Sequence, residues 1–255
     1  PPLQITLQFL ALVVLIYLLS TLLWRAFAAR AGVHRSLYES VIDTGLVSIS
    51  KYAPGKVWGL LARGGLKQRE FKVNMGTILV SALEQGYLLL YGFVTGLAVL
   101  LYPVLQLSIA VYTGLVLVCV LLFSGLVRQA ANIARLYYAR LPVLSWSFLF
   151  TLGLAYFVLW LLNGSALLVL GQTFDSVTAN NSAALAGYFI LSIAIGWLVI
   201  FVPGGIGVRE GVFVYFVKDL VSIQDALILA SLHRGLVTMF DLCFGSISLA
   251  CTFYH

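Results

Sequence analysis

Long apolar runs broken by short polar clusters dominate this chain. Leu3 to Trp24, Val73 to Leu101, Val104 to Phe123, Val143 to Leu170 and Ala226 to Thr252 are predominantly apolar. Each approaches or exceeds the roughly 20 residues that an α-helix needs to cross the hydrocarbon core of a bilayer. Pro103 predicts a tight turn between the second and third runs, and Arg128, Arg135 and Arg140 predict a short amphipathic stretch after the third. Two further regions are apolar but interrupted. Ser36 to Ala62 breaks at Lys51-Tyr52-Ala53-Pro54-Gly55-Lys56-Val57-Trp58. Ala183 to Val202 runs into Pro203-Gly204-Gly205-Ile206-Gly207, and Val208 to Val221 leads away again. The pattern predicts an all-α polytopic membrane helix bundle with about five full spans and two broken-helix re-entrant hairpins. The count becomes about seven if the second break separates two crossings.

Composition supports a membrane chain. Hydrophobic residues make up 62% and charged residues 9%, against roughly 25% charged in soluble domains, which must cover their surface. One transmembrane domain over 1–255 is expected, with the two breaks suggesting half-repeats 1–127 and 128–255. The formal charge of +6 would suggest nucleic acid in a soluble protein. Here the cations lie between apolar runs, where they act as topology signals and lipid-headgroup contacts, so no nucleic-acid partner is expected. Cys119, Cys243 and Cys251 have no metal-ligand spacing and read as small apolar helix residues. Neither a metal nor another cofactor is expected. The first run lacks a basic start and a small-residue cleavage site, so no cleavable leader is expected. The chain opens mid-pattern at Pro1-Pro2 and stops in an apolar stretch, which favours a longer natural protein.

The cations also predict orientation. Ten of the fifteen fall in three connections: Arg25, Arg30 and Arg35; Arg63, Lys67, Arg69 and Lys72; Arg128, Arg135 and Arg140. All three share one side only if Ser36 to Ala62 enters and leaves by the same face. The positive-inside rule makes that face cytoplasmic, in the cell membrane, and puts the amino terminus outside. The arms of that hairpin, about 15 and 10 residues, reach roughly 22 and 15 Å, enough for mid-membrane. The second hairpin would enter from outside. Gly171 to Ser182 has no basic residue, and Lys218 and Asp219 fall on the outer side whether or not the second break crosses.

Each Pro-Gly break ends one helix and starts another. A new helix amino terminus offers unpaired N–H groups and partial positive charge, and Lys56 or Arg209 lies within its first turns. Pro54, Gly55, Pro203, Gly204, Gly205 and Gly207 are the helix-break residues. Irregular backbone at this depth needs protein or a water-filled cavity around it, so the breaks predict a cavity for a phosphate-like group. The competing reading treats both breaks as surface turns whose cations snorkel to the interface. Other charges sit inside apolar runs. Glu84 lies beside Gln85 with no cation within a helical turn, which predicts a titrating residue. Arg234 and Asp241, seven residues apart with Thr238 between them, share a helix face; Asp43 lies in the first hairpin. Each needs a partner or water. His233 reads as a packing residue, and Gly92, Gly96 and Gly187 as close helix contacts.

The motifs Lys51-Tyr52-Ala53-Pro54-Gly55-Lys56-Val57-Trp58 and Pro203-Gly204-Gly205-Ile206-Gly207-Val208-Arg209-Glu210 resemble those of the lysylphosphatidylglycerol synthase transmembrane (flippase-like) family. The two occur in the family's order, and the resemblance covers most of the chain. It implies a membrane translocase for aminoacylated or other phospholipids, or for polyprenyl-phosphate-linked sugars. It also implies a partnership with a lipid-modifying transferase or glycosyltransferase. These 255 residues hold no counterpart of the family's soluble aminoacyl-transferase domain, so the resemblance carries no expectation of synthase activity. No catalytic constellation stands out, and a transporter is expected rather than an enzyme. The alternatives are a membrane transferase acting on a lipid phosphate, or a non-catalytic partner subunit of one. The expected substrate-binding residues are Lys51, Lys56, Arg209, Glu210 and Arg234. Glu84, Asp241, Tyr52 and Trp58 are expected to line the cavity or couple transport.

Overall fold

The computed structural model describes residues 1–53, 58–65, 74–137, 143–199 and 201–253, and every regular element among them is helical. In chain order these are α1 (Leu3–Arg30), α2 (Leu37–Ser50), α3 (Trp58–Gly65), α4 (Met75–Leu105), α5 (Ile109–Tyr137), α6 (Trp146–Gly171) and α7 (Ala179–Leu198). A 3-10 turn at Pro203–Gly205, α8 (Val208–Val217) and α9 (Ile223–Phe253) follow. Six of the helices, α1, α4, α5, α6, α7 and α9, are long and apolar enough to cross a bilayer. The chain is a multi-pass integral membrane protein with an all-α bundle fold.

Both interrupted regions fold back on themselves. Ser36 starts α2 with a capping box: its hydroxyl accepts the Glu39 N–H at 3.2 Å, and the Glu39 carboxylate accepts the Ser36 N–H at 2.9 Å. The Arg35 guanidinium then donates to the Arg63 carbonyl at 3.0 Å, and the Asn74 N–H to the Gly64 carbonyl at 2.9 Å. The end of α3 thus returns to the level where α2 began and α4 begins. In the second half, the Asn181 amide donates to the Leu220 carbonyl at 3.3 Å, and the Ser176 hydroxyl to Asp225 at 2.8 Å. These bonds tie the segment after α8 to the start of α7. Although α7 alone spans about 30 Å, the chain comes back along α8 to the face it left. The element order long helix, hairpin, long helix therefore occurs twice, as α1–α2/α3–α4 and α6–α7/α8–α9. α5 joins the two sets, and the 127/128 boundary lies inside it.

Two local expectations need correction. α4 does not turn at Pro103 but continues to Leu105, where Gln106 adopts a left-handed conformation with φ 47°. The proline lies in the last turn, so only one ladder bond is lost. The Tyr112 hydroxyl donates to the Ala98 carbonyl, beside the one that loses its N–H. The cationic stretch after Phe123 is not separate either, because α5 runs through Arg128 and Arg135. Val120, Ser124, Val127 and Ala131 form its buried stripe at helical spacing. Much of the rest of α5 is apolar and exposed, as a lipid-facing helix must be.

Small residues set the closest helix approaches, as apolar lipid gives no hydrophobic drive for packing. α4 and α7 cross at Gly96 and Gly187, where a Cβ on either would stand 3.2 Å from the other's carbonyl oxygen. α2 and α9 meet at Gly45 and Gly245, where a Cβ on Gly245 would stand 3.0 Å from the Gly45 oxygen. Gly92 makes room for Trp160. Phe9, Trp24, Phe27, Tyr87, Tyr91 and Tyr156 fill the core between α1, α4 and α6.

Candidate functional site: a cationic cavity where the helix breaks meet

The two hairpin tips touch. The Gly204 N–H donates to the Lys51 carbonyl at 2.7 Å, so the break after α7 supplies the donor that the end of α2 lacks. Gly204 has φ +58°, and a Cβ there would stand 3.2 Å from both the Tyr52 ring and the Arg234 guanidinium. Only glycine combines that backbone with so close an approach. The junction lies deep in the bundle. Along α9, Arg234 and Asp241 are about 17 and 27 Å from the helix start, out of about 46 Å.

Charges pair across elements rather than along them. Asp241 is fully buried. It holds the Lys51 ammonium at 2.5 Å and accepts from the Tyr52 hydroxyl at 2.6 Å and from the Tyr17 hydroxyl. Tyr52 also bonds Thr238 at 3.0 Å. Arg234 does not pair with Asp241. Its guanidinium binds Glu210 at 2.6 Å and donates to the Gly204 and Gly205 carbonyls at 3.1 and 3.4 Å. A shared helix face permits contact, but the α7/α8 and α2/α3 tips each bring in a nearer partner. Glu210 also accepts the Gly207 N–H at 2.8 Å. The amino terminus of α8, expected to stand open to an anion, thus carries its own carboxylate.

Glu84 is not without a cation. Arg63, expected among the loop cations, is 5% exposed. It reaches Glu84 at 2.9 Å and Ser81 at 3.1 Å while its guanidinium lies 3.8 Å over the Trp24 ring. The Tyr156 hydroxyl donates to the other Glu84 oxygen at 2.6 Å. The pairing spans 21 residues and depends on the hairpin fold of α2/α3, so inspecting one helical turn misses it.

Arg209 is different. It makes no hydrogen bond or ion pair with the described residues, because the adjacent Glu210 turns to Arg234. A Cβ on Gly196 would collide with the Arg209 side chain, so this glycine of α7 lets the guanidinium pass. Arg209 lines a cavity of about 180 Å³ together with Lys51, Arg63, Glu84, Gln85, Asn163 and others. A smaller pocket of about 40 Å³ also includes Lys51, Gln85 and Arg209 in its lining. The larger of these two has room for several waters, the scale of a small hydrated headgroup. One wall is aromatic, with Tyr17, Tyr156, Trp160 and Trp197. His233 also lines it, packed edge-on against Phe9 and Phe189 with ring centroids 5.3 and 4.6 Å away.

Of the residues expected from sequence, Lys51, Tyr52, Gly204, Gly205, Glu210, Arg234 and Asp241 converge on the junction, with Pro203 and Gly207 shaping its second break. Glu84 and Arg209 face the cavity. Pro54, Gly55 and Lys56 lie outside the described residues. Trp58, at the start of α3, is half exposed and is not among the described residues lining the cavity. Tyr17, Arg63, Tyr156 and Gly196 were missed. A tyrosine in mid-span, whose hydroxyl must find a partner, is the signal that would have flagged Tyr17 and Tyr156. Among the described residues no cluster could hold a metal ion. No family model matches the chain, and the searches of curated proteins and of solved structures gave no match either.

Proposed function

We propose that this protein is a translocase that carries anionic lipid between the leaflets of the cell membrane, with the phosphate held in the cavity and the tails left in lipid. The observation that carries this reading is Arg209: a guanidinium without a partner among the described residues, facing a cavity where the end of α2 meets the break after α7. A cation at the centre of a bilayer costs about 2.5–3.5 kcal/mol even on insertion scales, so a ligand or water must offset it. Guanidinium forks onto phosphate through two parallel hydrogen bonds, which makes a phosphate the fitting occupant. The repeated order of long helix, hairpin and long helix suits an inverted-topology pair, the plan in which transporters place substrate at mid-depth. The cation clusters favour an orientation with the amino terminus outside, the α7/α8 hairpin entering from outside and α2/α3 entering from the cytoplasm. The resemblance to the lysylphosphatidylglycerol synthase transmembrane family supports the same reading, including a neighbouring lipid-modifying transferase as partner.

The test is reconstitution. Purified protein in vesicles carrying a fluorescent anionic phospholipid should make the inner-leaflet label accessible to a membrane-impermeant quencher faster than protein-free vesicles do. Equal rates would reject translocation. Turnover of a lipid phosphate by purified protein with a donor would instead establish the transferase alternative.

A further inference from the structure

The charges that the described residues bring to the junction balance except for one. Among the described residues, Lys51, Arg63, Arg209 and Arg234 are its cations, and Glu84, Glu210 and Asp241 its carboxylates. Each carboxylate is taken: Asp241 by Lys51, Glu84 by Arg63 and Glu210 by Arg234, all within 2.9 Å. Among these seven groups a single positive charge remains, on Arg209. The uncharged polar groups facing the cavity include Gln85 and Ser20, which make no hydrogen bond with the described residues, and Asn163, whose amide N–H donates to Leu159 while its oxygen accepts from no described residue. Such groups suit hydroxyls, which both donate and accept.

We infer that the cavity selects a lipid phosphodiester with one negative charge and an uncharged, hydroxyl-bearing headgroup, and discriminates against both diphosphates and headgroups that carry an ammonium. One unpaired guanidinium matches one phosphodiester charge. A diphosphate brings further negative charge to a site whose described residues offer no further free cation, and charge left unpaired at this depth is costly. An ammonium on the headgroup, as in an aminoacyl ester, needs a carboxylate, and all three here are already engaged. The chemistry is shared by glycerol phospholipids with a polyol headgroup and by isoprenoid-phosphate sugars. This inference rests on the translocase reading only for its location, because selectivity is a property of binding.

Native mass spectrometry of the purified full chain in detergent tests it directly. The probes are phosphatidylglycerol, lysylphosphatidylglycerol, a polyprenyl-phosphate hexose and a polyprenyl diphosphate. Wild type should bind phosphatidylglycerol or the polyprenyl-phosphate hexose at least about tenfold more tightly than lysylphosphatidylglycerol or the diphosphate. Whichever of the two favoured lipids binds more tightly identifies the source. Gln85 tunes the balance without breaking an ion pair. Gln85→Glu should shift the ratio of lysylphosphatidylglycerol to phosphatidylglycerol upward about tenfold, and Gln85→Lys should shift the ratio of diphosphate to phosphodiester upward similarly. Tighter wild-type binding of lysylphosphatidylglycerol or the diphosphate would overturn the inference, and so would ratios unmoved in both variants. Selective binding by a protein that moves no lipid would leave the selectivity standing and reject only the translocase.

Discussion

Removing one partner from the Arg63–Glu84 pair should destabilise the protein strongly, and removing both should restore most of the loss. The two side chains are 5% and 6% exposed and meet at 2.9 Å, so the value for surface pairs, at most about 1 kcal/mol, does not apply. A charge stranded in such a place costs about 3–5 kcal/mol. Glu84→Gln keeps the oxygen that accepts from the Tyr156 hydroxyl at 2.6 Å but strands Arg63, which among the described residues then keeps Ser81 and the Trp24 ring. Arg63→Met strands Glu84. The double variant removes both charges and should lie within about 1–2 kcal/mol of wild type, giving a coupling of about 2 kcal/mol or more. Unfolding by sodium dodecyl sulfate in mixed micelles measures all four proteins. Additive losses, or a Glu84→Gln variant as stable as wild type, would refute the pairing. A further outcome separates scaffold from transport: as a structural pair, Glu84 predicts that Glu84→Gln leaves the pH dependence of translocation unchanged.

Other consequences follow from the same geometry. Gly196→Val fills the space that the Arg209 side chain occupies, so it should weaken phospholipid binding about as much as loss of the cation, roughly tenfold or more, read by native mass spectrometry. Gly204→Ala forces a Cβ at φ +58° against Tyr52 and Arg234 and should lower stability by about 1–2 kcal/mol, measured by thermal unfolding in detergent. Cysteines placed at Asp175 and Asn180, both exposed, should react with an impermeant thiol reagent applied outside cells, whereas one at Arg135 should not. Labelling at Arg135 would invert the assigned topology.

The fold was more legible than the site. Apolar run length exposes the spanning helices, and cation clustering exposes the first hairpin, because both act through the bilayer rather than through particular partners. The second hairpin was harder to read. α7 is long enough to cross, and it is the ties from Asn181 to Leu220 and from Ser176 to Asp225 that show the chain coming back. At the site, Pro-Gly breaks and buried charges named most of the residues that converge, but not who pairs with whom. Arg234 and Asp241 share a face of α9, yet hairpin tips distant in sequence supply Glu210 and Lys51. Arg63 looked like a loop cation because nothing local reveals that α3 tucks it against Trp24. Identifying Arg209 as the cation left unpaired among the described residues of the site required the pairings themselves, which the sequence does not contain.

The claim that Arg209 holds the phosphate of a translocated lipid is tested most directly by the transbilayer movement of fluorescent phosphatidylglycerol in vesicles containing wild type, Arg209→Lys or Arg209→Gln at equal protein content. With its ligand-binding hydrogen bonds lost, Arg209→Gln should slow translocation about ten- to a hundredfold. Arg209→Lys, which keeps the charge but not the fork, should fall between. Because Arg209 pairs with no described residue, all three should unfold at similar temperatures. Arg209→Gln moving lipid at the wild-type rate, with its fold intact, would contradict the account.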